Sequence, residues 1–161
     1  MTSAVRRGLI VALLHVALVA GLGAKLLIDR ATRPRVWARV APVDPDLPIR
    51  GRYVRLRLEG AAEGLEPSDW AAVDAAVRNQ QLVFVPSSDS GLSARVTTRT
   101  DGRRVASLHQ ALAYFIPEHG PDPSLRAPGE ELWVEVTIPR RGPPRPIRLG
   151  VMKNGNLSPI Q

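Results

Sequence analysis

The sequence predicts an α+β protein: one transmembrane helix followed by a small, mainly antiparallel β domain. Three observations predict it. Residues 8–28 form an apolar run interrupted by one charge, Lys25. Residues 53–59 and 132–138 alternate apolar and polar side chains with the period of two that belongs to a half-buried strand. Around them, short apolar runs are separated by Pro, by Gly and by Asp101-Gly102 and Asn154-Gly155, the punctuation of hairpins.

The N-terminal run is long enough to cross a membrane, since about 20 helical residues at ~1.5 Å each span a hydrocarbon core of ~30 Å. Leu26, Leu27 and Ile28 extend it if the Lys25 ammonium reaches back to the interface. Arg6 and Arg7 precede it, as before a signal anchor or a signal peptide. Ala17 to Ala20 is a poor small-x-small cleavage site, so an uncleaved anchor is the expectation, ahead of a removed signal peptide and of a buried core helix. His15 lies mid-span, where an ionisable group is either functional or simply hydrogen-bonded and neutral; the second is expected. Ala17 with Gly21, and Ala20 with Ala24, offer small surfaces for helix packing. The flanking charges conflict on orientation. Arg6 and Arg7 flank the amino end, while Lys25, Arg30, Arg33 and Arg35 flank the other. The expected arrangement is residues 1–7 cytoplasmic and the bulk of the chain outside.

Residues 29–50 contain Pro34, Pro42, Pro45 and Pro48 and are expected to form a stiff linker with one short strand at 36–40. The β-rich domain is then 51–161. Its first strand, 53–59, places Val54, Leu56 and Leu58 on one face and Tyr53, Arg55, Arg57 and Glu59 on the other. Pro67, Ser68 and Asp69 are expected to open a helix with Trp70, Val73 and Val77 on one side. Strands are expected at 82–85, at 94–100, after Asp101-Gly102 from Val105 onward, at 113–116, at 132–138 and at 147–152. A Pro-rich loop fills 121–129, and Gly142-Pro143-Pro144 breaks the longest alternation.

Composition limits the chemistry. The chain has 161 residues, 44% hydrophobic but only 4% aromatic, so its core is expected to be aliphatic. That length suits one domain. With no Cys, disulfides, Cys-ligated zinc, Fe–S clusters and thiol catalysis are excluded. Of 22 basic residues only Lys25 and Lys153 are lysine, the pattern of an Arg-rich, GC-rich coding bias.

The segment from Pro42-Val43-Asp44-Pro45 to Gly51-Arg52-Tyr53-Val54-Arg55-Leu56-Arg57-Leu58 resembles the signature of the GDYXXLXY family. Gly51, Tyr53 and Leu56 match; Arg52 stands where the motif has aspartate, and Leu58 where it ends in tyrosine. Tyr114-Phe115-Ile116-Pro117-Glu118 resembles a second segment of that family, with His119 inserted before the expected glycine. The resemblance implies a bacterial inner-membrane protein of unknown function with an N-terminal anchor. It implies a domain in the periplasm or at the cell exterior, and an integral membrane protein as partner. It implies no activity, and if the motif's aspartate caps a turn or meets a cation, Arg52 can do neither.

Four other readings are weighed by residue type. Glu118 beside His119 could serve acid–base work, but a strand-end ion pair with Arg is the expectation. His109, His119, Glu118 and Asp122 lack any diagnostic ligand spacing, so no metal or cofactor is expected. The strand entry also resembles that of membrane-bound signal peptidases, but no Ser lies between Ser3 and Ser68 to build a Ser–Lys dyad in order. Arg50, Arg52, Arg55 and Arg57 form a basic patch, yet no nucleic-acid motif or stacking platform accompanies them. The net charge of +7 is uneven: residues 30–60 hold eight basic against three acidic side chains, residues 61–94 one against five. The excess follows the apolar segment, where anionic lipid headgroups or an acidic partner fit better than nucleic acid. The expectation is therefore a membrane-anchored, non-enzymatic accessory protein. The alternative is a single-pass subunit whose helix makes the contact, and a weaker one is an enzyme using Glu118 and His119.

Overall fold

The computed structural model describes residues 3–43, 53–89, 91–117, 122–123, 125–140 and 142–160. The chain divides into two units, Met1–Arg33 and Pro34–Gln161. The first is a single helix, α1, Ser3–Thr32. Among the described residues it contains one stretch, Val5–Ile28, long and apolar enough to cross a membrane. Leu9, Val16, Val19, Leu22 and Leu27 are all exposed, so apolar side chains cover the whole circumference. A helix that packs in a soluble core carries its apolar side chains on one stripe; here they lie all round, and none of the apolar window is buried. The side chains of His15 and Thr32 donate to the carbonyls of Val11 and Ile28 one turn earlier, each at 2.8 Å. The imidazole's Nδ1–H is thus satisfied within the helix.

Among the described residues the second unit holds ten strands. They are β1 (Arg35–Val43), β2 (Tyr53–Ala62), β3 (Ser68–Arg78), β4 (Gln81–Pro86), β5 (Ser93–Thr98), β6 (Arg104–Leu108), β7 (Leu112–Phe115), β8 (Glu130–Thr137), β9 (Arg145–Lys153) and β10 (Asn156–Pro159). Neighbours run β10-β9-β8-β1-β2-β4-β3-β5-β6, and β6 returns to pair with β2. Strands β2, β4, β3, β5 and β6 therefore close a ring. All pairs are antiparallel except β2 with β4. Strand β2 meets four partners: its first half lies between β1 and β7, its second between β6 and β4.

The alternation expected in β2 is present: Val54, Leu56 and Leu58 are buried, Arg57 is exposed. They join Val36, Ala38 and Val40 of β1, Leu132, Val134 and Val136 of β8, and Val73, Phe84, Ala94, Val96, Ala106 and Leu108 of the ring in one core. Among its fully buried members only Phe84 is aromatic, as the composition leads one to expect.

Two expectations are corrected. The first is the helix from Ser68. That segment is β3, bonded along its length to β5 and β4. Ala at positions 71, 72, 75 and 76 hides the period of two, because a methyl suits either face. Only Val73 is fully buried, so the strand shows a single strong inward position. Strand pairing on both edges outweighs the helical propensity of alanine. The overlooked signal is Asn79: Asn79 and Gln80 have φ of 50° and 60° and form the two-residue turn between Arg78 and Gln81. Both central residues of a type I′ turn need positive φ, a region costing ~1–2 kcal/mol for an ordinary L-residue. Gln80→Gly is expected to raise the unfolding free energy by about 0.5–1 kcal/mol, read by thermal or urea denaturation.

The second correction concerns the linker at 29–50. Residues 35–43 form the nine-residue strand β1, whose first half pairs with β8 and second half with β2. The β unit therefore starts at Pro34, and only Arg33 and Pro34 separate α1 from β1. Proline is tolerated at 42 because β1 runs near its end there, opposite Leu56. Residues 44–52 lie outside the described residues. Strand β10 follows a type I′ turn at Asn154-Gly155, the turn expected there, but was not itself expected.

Candidate functional site

Two places in the β unit gather chemically distinctive side chains. The first is the outer face of β2 and β7. The two segments that carry the family resemblance lie about 60 residues apart in sequence and are adjacent antiparallel strands, with Tyr53 opposite Phe115, Val54 opposite Tyr114 and Leu56 opposite Leu112. The rings of Tyr53 and Phe115 are 6.2 Å apart and tilted by 52°. Phe115 is 72% exposed, Tyr114 is half-buried against the core, Leu56 is fully buried and Pro117 is exposed just past β7. Arg55 and Arg57 share the face of Tyr53, opposite Val43 and Ala41 of β1. Among the described residues neither has a hydrogen-bond or ion-pair partner. Arg50, Gly51, Arg52, Glu118 and His119 lie outside the described residues.

The second place is a cleft of about 410 Å³. One wall is the outer face of β1 and β8, with Trp37, Arg39, Glu131 and Trp133; the other is the turn between β5 and β6, with Arg99, Asp101 and Arg103. The floor includes Ala38, Gly60 and Ala61. These side chains share one face because register fixes their parity: Arg39 is opposite Trp133, and Val40 opposite Leu58 brings Arg39 beside Glu59. The charges alternate along a row. Glu131 lies 3.2 Å from Arg39, Arg39 lies 3.9 Å from Glu59, and Glu59 lies 3.2 Å from Arg99. The Trp133 indole N–H donates to the second oxygen of Glu131 at 3.3 Å. Arg104 is held by Glu66 and by the Leu65 carbonyl.

Behind this wall, Glu135 is opposite both Trp37 and Arg148. Its carboxylate, only 10% exposed, accepts from Arg148 Nε at 2.7 Å, and the same guanidinium lies 5.3 Å from the Trp37 ring centre. A buried carboxylate needs such a partner, and the cation over the indole face adds to it. A Cβ on Gly150 would come within 2.8 Å of the Trp37 ring, so glycine is what lets the indole lie flat across β9. The alternation in 132–138 is thus correct, but its second face is covered: Glu135 and Thr137 are buried too.

Among the described residues, Glu130 is the group whose titration is displaced. Its hydrogen bond to the Lys153 ammonium, with the Ala127 N–H second, holds its carboxyl below the ordinary 4.5. A depressed folded-state value contributes stability above pH ~4.5 that is lost as pH falls through the folded value. The stability difference between the parent and Lys153→Met is therefore expected to be constant at neutral pH and to shrink below pH ~4.5, as measured by urea unfolding at stepped pH.

His109 stacks on the exposed Trp70 at 3.9 Å and its Nε2 faces the Asp69 carbonyl at 2.7 Å. Among the described residues no three His, Asp or Glu side chains converge as metal ligands would. No family model, no curated protein and no solved structure matches this chain. The cleft was not legible in sequence. Trp37 and Arg39 alternate with Val36, Ala38 and Val40, which is a signal for a two-faced strand, but nothing local states that β1 pairs with β8.

Proposed function

We propose that this protein is a single-pass, membrane-anchored, non-enzymatic accessory protein similar in kind to the GDYXXLXY proteins. Its β unit presents the outer face of β2 and β7 to another integral membrane protein. The anchor reading is supported by α1, whose apolar side chains are exposed on every side. Lipid is the surrounding that makes such a surface favourable. In this reading the amino end is cytoplasmic and the β unit lies in the periplasm or outside the cell.

The observation that carries the interaction reading is the exposed Phe115 ring against the half-buried Tyr53, beside Arg55 and Arg57. Aromatic and Arg side chains are what interface cores concentrate. Arg55 and Arg57, without a partner among the described residues, are groups suited to acidic side chains of a partner, or to anionic lipid headgroups. A photo-cross-linking residue at position 115, irradiated in native membranes, is expected to form an adduct with a multi-pass protein. Recovery of this protein alone, by cross-linking and by detergent pull-down, would sink the reading. A reporter fused after Gln161 that is active only in the cytoplasm would overturn the orientation.

A second reading places the contact on the helix. It is favoured by Gly21 and Gly23, around which no atom lies within 4 Å of where a Cβ would stand. Adducts from position 21 and none from position 115 would select it. The enzyme alternative fails if Glu118→Gln leaves a deletion phenotype fully complemented.

A further inference from the structure

We infer that the cleft between the β1–β8 face and the β5–β6 turn is a binding site for a hydroxyl-rich ligand of the saccharide class. It is independent of the β2–β7 face and does not rest on the accessory reading. The argument begins with the charges. The row Glu131, Arg39, Glu59, Arg99 is already paired within itself. Each carboxylate keeps unused lone pairs and each guanidinium keeps unused N–H groups. The row therefore offers acceptors and donors in alternation along one line.

That pattern discriminates between ligand classes. A phosphate or carboxylate is acceptor-only, and would meet Glu59, Asp101 and Glu131 together with the Arg side chains. Vicinal hydroxyls both donate and accept, so each can bridge from a carboxylate to the neighbouring guanidinium. The walls agree. Trp133 is half-buried and lines the cleft, where an indole suits the C–H face of a sugar ring, while Trp37 beside it is already engaged by Arg148 and Gly150. The Trp133 indole is held in place by its bond to Glu131. Ala61, exposed on the same face of β2 as Glu59, is the small side chain that leaves room for a ring to lie close to the sheet. The volume of about 410 Å³ falls within the range of small-molecule sites.

The test uses the full-length protein in a detergent without a sugar headgroup. It is titrated with chitotetraose, with maltotetraose and with inorganic tripolyphosphate, following tryptophan emission and saturation-transfer NMR. At least one oligosaccharide is expected to bind saturably, with Kd near or below about 1 mM. Glu131→Gln and Arg39→Gln are expected to weaken that binding ten-fold or more, and tripolyphosphate is expected not to compete. Arg99→Gln, at the exposed turn, is expected to weaken binding with an unchanged melting temperature, which separates loss of the site from loss of the fold. No saturable change with either oligosaccharide overturns the inference. So does sugar binding that survives all three variants, and so does displacement of the sugar by tripolyphosphate.

Discussion

Gly60→Val is expected to destabilise the β unit by at least about 3 kcal/mol, with Gly60→Ala falling between it and the parent. Gly60 stands where the ring closes. It is opposite Ala106 of β6, while its neighbour Ala61 is opposite Val83 of β4. A Cβ there would lie 2.9 Å from the Leu82 carbonyl oxygen and 2.9 Å from Phe84 Cε2. The carbonyl belongs to the backbone and cannot swing aside, and Phe84 is fully buried with nowhere to turn. One extra methyl forced into a packed core costs ~1–3 kcal/mol, and valine adds two more carbons at the same point. Against total stabilities of ~5–15 kcal/mol, such a loss is plainly visible in the melting temperature. A valine variant melting with the parent would show that β2 and β4 do not approach as closely as the ring requires.

Leu56→Ala and Phe115→Ala are expected to separate the two kinds of motif residue. Leu56 is fully buried at the centre of β2, so its truncation leaves a cavity and costs ~2–5 kcal/mol. Phe115, on the neighbouring strand but 72% exposed, is expected to change stability by no more than ~0.5 kcal/mol. Loss of the membrane partner in the Phe115 variant, with its melting temperature intact, would assign the aromatic pair to recognition. A large stability loss in both variants would make the whole motif structural. Urea unfolding and cross-linking on the same preparations decide between these outcomes.

What the sequence made legible follows from how local each signal is. The alternations of β2 and β8 are carried by branched and long apolar side chains against charged ones, and both strands formed with the expected faces inward. The Asp101-Gly102 and Asn154-Gly155 turns formed because their backbone demands are met by the residues themselves. β3 was misjudged because alanine carries no face. β1 was underestimated because prolines at 34 and 42 suggest a linker, although a strand tolerates them near its ends. The cleft depends on which strands meet, a long-range property. Trp37, Arg39, Glu131 and Trp133 lie almost 100 residues apart and become neighbours only through the β1–β8 register.

That register also has a consequence for how the molecule is made. β1 is the first strand synthesised, yet half of its hydrogen bonds wait for β8, and β2 waits for β6 and β7. Growing chains tend to fold from the amino end when early segments can pair among themselves. Here β1 cannot complete its pairing until β8, about 90 residues later, exists. Topologies so dominated by distant pairings fold on the millisecond-to-second scale. A chain leaving the ribosome would therefore hold β1 half-paired until β8 has emerged, so this unit completes its folding as a whole rather than strand by strand.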